Sequence, residues 1–206
     1  GGAAGTIGSG QVAKAPPDGY ALLLVTVPFL ISATLFEKLP YDPIKDFAPV
    51  TLLAKTPNVL AVHPSLPVKS VQSLVDLARA NPGKINYAAP VGTVIQLSAE
   101  LFKMMAKVNL THIAYNGTAP TVIGVLSGES AVAFAPAISV LPHFASGKLR
   151  ALAVTSSQRA PALADIPTVA ESGLPGFDMV TWYGILAPAG TPDEIITRLN
   201  GDFAKS

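Results

Sequence analysis

Strand-length apolar runs alternate with helical patterns from one end of this chain to the other. Tyr20 to Val27 is a continuous apolar run, as expected of a strand covered on both faces. Phe47 to Ala54 and Asn58 to Val62 read as two further strands, and Leu30 to Phe36 as a short helix. From Ser70, a plausible N-cap, Val71, Leu74, Val75 and Ala78 recur at helical spacing until Asn81-Pro82-Gly83 stops the helix. The alternation then repeats. Strands are expected at 85–89, 110–114, 131–135, 149–154 and 182–187. Helices are expected from Thr93 to about Lys107, with Leu97, Leu101, Met104 and Met105 on the apolar side, and at 119–126, 139–145, 169–172 and from Pro192 onward. Such alternation predicts βαβ units and a largely parallel sheet, an α/β fold.

The pattern separates into two lobes. Residues 1–63 with 152–206 make the first and 66–149 the second, so the chain crosses twice, at Leu60 to Pro64 and at Arg150 to Ser156. The stretch from Gly147 to Pro192 is punctuated by proline and glycine, and its charged residues Arg159, Asp165 and Glu171 are well separated. It reads as a connector with no catalytic constellation in it.

Composition excludes several classes. Half of the 206 residues are apolar, 13% are charged and the net charge is +1, so there is no electrostatic case for nucleic acid. Cysteine is absent, which excludes disulfides, thiolate metal sites and cysteine nucleophiles. The three histidines, His63, His112 and His143, have no shared-helix spacing, so no metal is expected. The early glycines Gly1, Gly2, Gly5, Gly8 and Gly10 do not follow a strand and lack the Lys-Ser/Thr pair of a phosphate loop, and no cofactor is expected. No serine sits in a strained nucleophile context. No apolar run approaches the ~20 residues of a membrane helix, and the first ten residues show no signal peptide.

Two loops point to ligand chemistry. Pro90-Val91-Gly92-Thr93 follows a strand and opens a helix, which presents main-chain N–H groups at a positive dipole end and suits a carboxylate. The same residues serve as a plain N-cap, and alone they favour that simpler role. Asn116-Gly117-Thr118 repeats the arrangement, and two such loops at strand carboxyl ends are where open α/β sheets bind ligands.

Several segments together resemble one family: DGYALLLVT, KLPYDPIKDFAPVTLLAKTPNVLAVHPSLPVKSVQSLVDLARANPGKINYA, and GKLRALAVTSSQRAPALADIPTVAESGLPGF with WYGILAPAGTP. They look like the Bug, or TctC-like, solute receptors of tripartite tricarboxylate transporters, and the likeness covers essentially the whole chain. The resemblance implies a type II periplasmic-binding-protein fold, two α/β lobes joined by hinge strands with a ligand cleft between them. It implies a periplasmic receptor that captures a small organic acid for membrane transporter subunits, without catalysis. Val27, Pro28 and Phe29 would line the site from the first lobe, the two loops would supply donors, and Ala135, Pro136 and Ala137 would form an apolar wall. Against the family pattern the chain looks like a fragment lacking the first strand and loop and the last helices, which would leave a sheet edge open to association. Where the family often carries Phe-Asp, this chain has Phe134-Ala135-Pro136, which argues against an ammonium group on the ligand. Gln96 stands where histidine is common. The rival reading is an enzyme acting in the cleft, which requires a nucleophile and base within ~3 Å.

Overall fold

The computed structural model describes residues 5–35 and 38–205. Gly1, Gly2 and Phe36, named above, lie outside them. The chain divides into two compact units, Gly1–Lys55 with Trp182–Ser206 and Thr56–Thr181.

Unit 1 carries α1 (Thr6–Val12), β1 (Leu23–Thr26), α2 (Val27–Leu35), the first part of β2 (Phe47–Val62), most of β7 (Val180–Pro188) and α7 (Asp193–Phe203). β1 pairs antiparallel with β7, from Leu23 opposite Leu186 to Thr26 opposite Tyr183. One core of this unit is aromatic. Phe29 and Tyr41 stack with ring centroids 5.7 Å apart, and Phe47 meets both edge-on. A second cluster, Val50, Ile185 and Ala187, is covered by Ile196, Leu199 and Phe203 of α7.

Unit 2 holds the rest of β2, then α3 (Val71–Ala80), β3 (Asn86–Ala89), α4 (Val94–Ala106), β4 (Thr111–Ala114), α5 (Thr118–Leu126), β5 (Val132–Pro136), α6 (Ala137–Ala145) and β6 (Arg150–Val154). β3 lies between β4 and β5 and is parallel to both. β2 pairs antiparallel with both β5 and β6. β3, β4, β5 and β6 therefore run one way and β2 runs against them, so the sheet is mixed where a largely parallel one was expected. β3, β4, β5 and β6 follow one another through single helices, α4, α5 and α6. β2, which enters from unit 1, is the antiparallel member although it too leads into its successor through a helix, α3.

Two apolar layers cover the sheet. On one face Leu60, Val62, Tyr87, Phe134 and Val132 pack with Leu74 and Val71 of α3 and Ile95, Ala99 and Phe102 of α4. On the other, Val59, Ala61, Ala133 and Ala135 pack with Val122 and Val125 of α5 and Val140 of α6. Burying each of the Val, Leu, Ile and Phe side chains among them stabilises the fold by about 1.5–3 kcal/mol. α3 begins where the spacing placed it. Ser70 accepts from the Ser73 N–H and the Ser73 hydroxyl accepts from the Ser70 N–H, a full capping box.

Several boundaries differ from the sequence reading. Phe47 to Val62 is one strand of 16 residues, not two. Pro57 lies in the gap between those two readings, yet the registers with β5 and β6 begin only at Asn58 and Val59, so its missing N–H removes no bond from them. The units divide within β2, after Lys55, and within β7, after Thr181. Residues 152–181 thus belong to unit 2 and not to the first lobe. β6 pairs with β2 there, and Val169, Leu174 and Phe177 are buried in the face shared with α3 and α4. Arg150 to Ser156 is accordingly no crossing point. The helix expected at 169–172 is a series of turns anchored by a bridge between Val154 and Thr168. On α4 the buried residues are Val94, Ile95, Ser98, Ala99, Phe102 and Ala106, whereas Met104 is 68% exposed. Apolar residues on both sides of that helix hid which face turns inward. Arg159 and Glu171, far apart in sequence, meet at 2.9 Å, and Glu171 also accepts from the Thr168 N–H.

Candidate functional site

Within unit 2 the loops after β3, β4 and β5 lie side by side, because these strands are adjacent, parallel and close in register: Ala89 faces Ala114, and Ala88 faces both Ile113 and Ala133. Each loop leads straight into a helix, α4, α5 or α6. The carboxyl edge of this sheet therefore gathers three helix N-termini, and their first-turn N–H groups have no carbonyl of their own helix to bond. None of the three starts has a side-chain cap or an acidic residue in its first turn.

Local chemistry explains why. After β3, Pro90 is buried, Gly92 adopts φ 72° and Val91 is exposed. Thr93 occupies the N-cap position, but its hydroxyl donates to the Pro90 carbonyl at 2.8 Å and caps nothing. The Gly92 N–H is already bonded to Gln96 Oε1 at 2.7 Å. The free donors of this loop are thus the main-chain groups at the start of α4, fewer than the residue pattern suggested. After β4, Gly117 is the N-cap with φ 109°, a conformation that a side chain would strain. The Gly117 carbonyl accepts from both the N–H and the hydroxyl of Thr121, while Asn116 is exposed and Thr118 half-buried. After β5, Pro136 is the N-cap of α6. Ala135 is packed inside the α5/α6 face, so the accessible part of that trio is Pro136 and Ala137, both half-buried.

The remaining predicted residues lie in unit 1. Val27 and Pro28 open α2 and are half-buried, but Phe29 is 6% exposed and belongs to the aromatic core. The residue pattern gave no sign of Gln96 as a fastener, although a Gln three residues past an N-cap is a known helix-start signal.

A polar cluster built on the buried Tyr87 stands behind the first loop. The fully buried Tyr87 donates to Glu100 Oε1 at 2.5 Å, and Lys103 Nζ lies 2.8 Å from both Glu100 oxygens. Burial, then the Glu100 carboxylate, pushes the Tyr87 hydroxyl well above its ordinary range. Burial also raises Glu100, but its hydrogen bonds to Lys103 and Tyr87 outweigh this and hold it below the usual carboxylate range. His112 stacks on Tyr87, and its Nε2 donates to the Ala89 carbonyl at 2.9 Å, which fixes the end of β3. The cluster is satisfied internally and anchors the loop. Among the described residues there is no group of three or more His, Cys, Asp and Glu arranged to hold a metal ion. Nor, among them, is any helix long and apolar enough to cross a membrane.

Two α/β units, with helix starts gathered along one sheet edge, are the build of a periplasmic solute-binding protein, and solved structures share this fold. An R. palustris protein solved with adipate superposes at TM-score 0.86 with 39% identity, covering 97% of this chain and 68% of that one. MatC from Rhodopseudomonas palustris, with bound malate, gives 0.82 and 32%, covering 99% and 70%. The chain belongs to the tripartite tricarboxylate transporter family receptors, whose family model (TctC) matches residues 1–206. Curated relatives agree: a UPF0065 protein of Pseudomonas sp. strain P51 is 38% identical over all of this chain, and BugT of Bordetella pertussis is 36% identical over 97% of it. The chain spans 62% of the length of each of these two relatives.

Proposed function

We propose that this chain is the solute-capturing part of a periplasmic receptor that binds a small carboxylate-bearing metabolite and delivers it to membrane transporter subunits, without chemical conversion. The observation that carries this reading is the row of three open helix starts on unit 2. Main-chain N–H groups at helix N-termini favour anions, each such interaction being worth about 0.3–1 kcal/mol at exposed positions and more when water is excluded. Pro90, Val91, Gly92 and Thr93, with Asn116, Gly117 and Thr118, are the proposed donor loops, and Pro136 with Ala137 the apolar wall. No Arg or Lys lies in these loops, so the carboxylate is held by neutral donors and the ligand carries modest charge. Val27 and Pro28 are the proposed contribution of unit 1. The adipate and malate in the related structures are acids of the expected kind.

Isothermal titration with adipate, malate, benzoate and glutamate tests this reading. Binding of at least one simple acid, with glutamate excluded, is the expected result. Tight binding of glutamate and of none of the acids overturns the ligand class, and binding of nothing in the panel overturns the receptor reading.

A further inference from the structure

Asn58 lies in β2, just inside unit 2, and is completely buried. Its main chain is fully engaged: the N–H donates to Thr155 Oγ1 at 2.9 Å and the carbonyl accepts from the Thr155 N–H at 2.9 Å. Thr155 Oγ1 in turn reaches the Met179 carbonyl at 2.5 Å. The side chain is another matter. Its Oδ1 has only a 3.5 Å contact from the Thr181 hydroxyl, and its Nδ2 finds no acceptor in the protein. Among the described residues this is the one buried side-chain polar atom left so. Exchanging the amide oxygen and nitrogen does not remove the problem, because the single weak contact serves either atom and leaves the other alone.

A buried unsatisfied donor costs about 1–3 kcal/mol, so this amide needs an acceptor that the protein itself does not supply. Position identifies the partner. Asn58 is directly opposite Pro136, the N-cap of α6. Side chains alternate along β2, so Asn58 points to the same face as Leu60 and Val62, the face covered by α4. β5 ends at Pro136 beside the end of β3, after which α4 begins. The amide therefore sits at the end of the sheet where the helix starts converge, on the face from which α4 departs. A Val, Ile or Leu would continue the apolar run Val59-Leu60-Ala61-Val62 at no polar cost, yet the chain carries an amide.

We propose that Asn58 is a further ligand-binding residue: its side-chain N–H, enclosed in this structure, is uncovered by a local shift at the helix starts and donates to the carboxylate of the bound acid, supplementing the main-chain donors of α4 and α6. The inference rests on the receptor reading above and adds a specificity element to it. The side-chain N–H supplies a neutral donor that suits a carboxylate oxygen.

The test compares the full chain with its Asn58→Leu variant by titration with adipate, malate and benzoate, alongside thermal unfolding. The expected result is a Tm equal to or above that of the parent, with affinity for the acid that the parent binds lowered by about tenfold to a hundredfold, the worth of a hydrogen bond to a charged group. In the parent, the Asn58 side-chain amide resonance in a ¹⁵N spectrum shifts when that acid is added, which keeps the test decisive if the variant does not fold. Unchanged affinity in a folded variant, or an unmoved Asn58 resonance at saturation, overturns the inference and leaves the receptor reading intact. A parent that binds none of the acids removes both.

Discussion

The start of α3 and the starts of α4, α5 and α6 solve the same problem in opposite ways. At α3, Ser70 and Ser73 trade side-chain and main-chain hydrogen bonds, so the leading donors are consumed within the protein. At α4 the hydroxyl that belongs to the N-cap turns back to Pro90, and at α5 and α6 the N-caps are Gly117 and Pro136, which have no capping group. All four helices are covered by the same two apolar layers, so the difference is not one of packing. A helix start closed by its own side chains serves stability, and one left open is available to an incoming acceptor.

The strongest way to break this contrast is to close an open start. Thr118→Asp and Ala137→Asp place a carboxylate in the first turn of α5 and α6, where it favours the helix by about 0.3–1 kcal/mol. Because the carboxylate repels a bound acid, affinity for the acid identified by titration is expected to fall by about a hundredfold, while Tm holds or rises. Undiminished affinity in both variants would show that these starts are not the anion site. The converse change sharpens the comparison. Ser70→Ala removes the cap of α3 and is expected to cost about 1 kcal/mol in urea unfolding, with the dissociation constant for the acid unchanged.

The smallest effect concerns the anchor behind the first loop. Glu100 is held below the ordinary glutamate value of 4.5 in the fold. Its stabilising contribution is therefore present above that value and is lost as pH falls through the lower folded-state pKa. Glu100→Gln is expected to flatten the decline of Tm between pH 5 and 3 slightly, the carboxylate being partly exposed (45%) and its pair with Lys103 screened accordingly. An acid limb as steep as the parent's would show that the pair contributes nothing measurable.

Much of this arrangement is legible in the residue pattern, and the exceptions have physical causes. α3 is readable because Ser70, the spacing of Val71, Leu74, Val75 and Ala78, and Asn81-Pro82-Gly83 all agree. The loops after β3 and β4 are readable because small and polar residues separate an apolar run from a helical one. The unity of β2 is not, since Pro57 interrupts the pattern and only the pairings with β5 and β6, which begin beyond it, reveal that they lose no bond there. The allegiance of residues 155–179 is equally hidden. Val169, Leu174 and Phe177 are buried without a helix or strand period, so nothing local tells which core receives them. Asn58 escapes notice for a similar reason, since its meaning depends on Pro136 opposite and on Thr155, which is distant in sequence.

Because β2 leaves unit 1 and β7 returns to it, unit 2 is a single uninterrupted length of chain and unit 1 is made of two. For a chain that becomes available from its N-terminus onward, the two have different histories. β3, β4 and β5 can pair as soon as residue 136 has emerged, each joined to the next by its own helix. β1 must wait for residues 183–186, its partners in β7, and its apolar residues stay unpaired by that strand while the whole of unit 2 is synthesised. The path of the chain thus allows the inserted unit to complete its pairing of β3, β4 and β5 before β1 of the enclosing unit can meet β7.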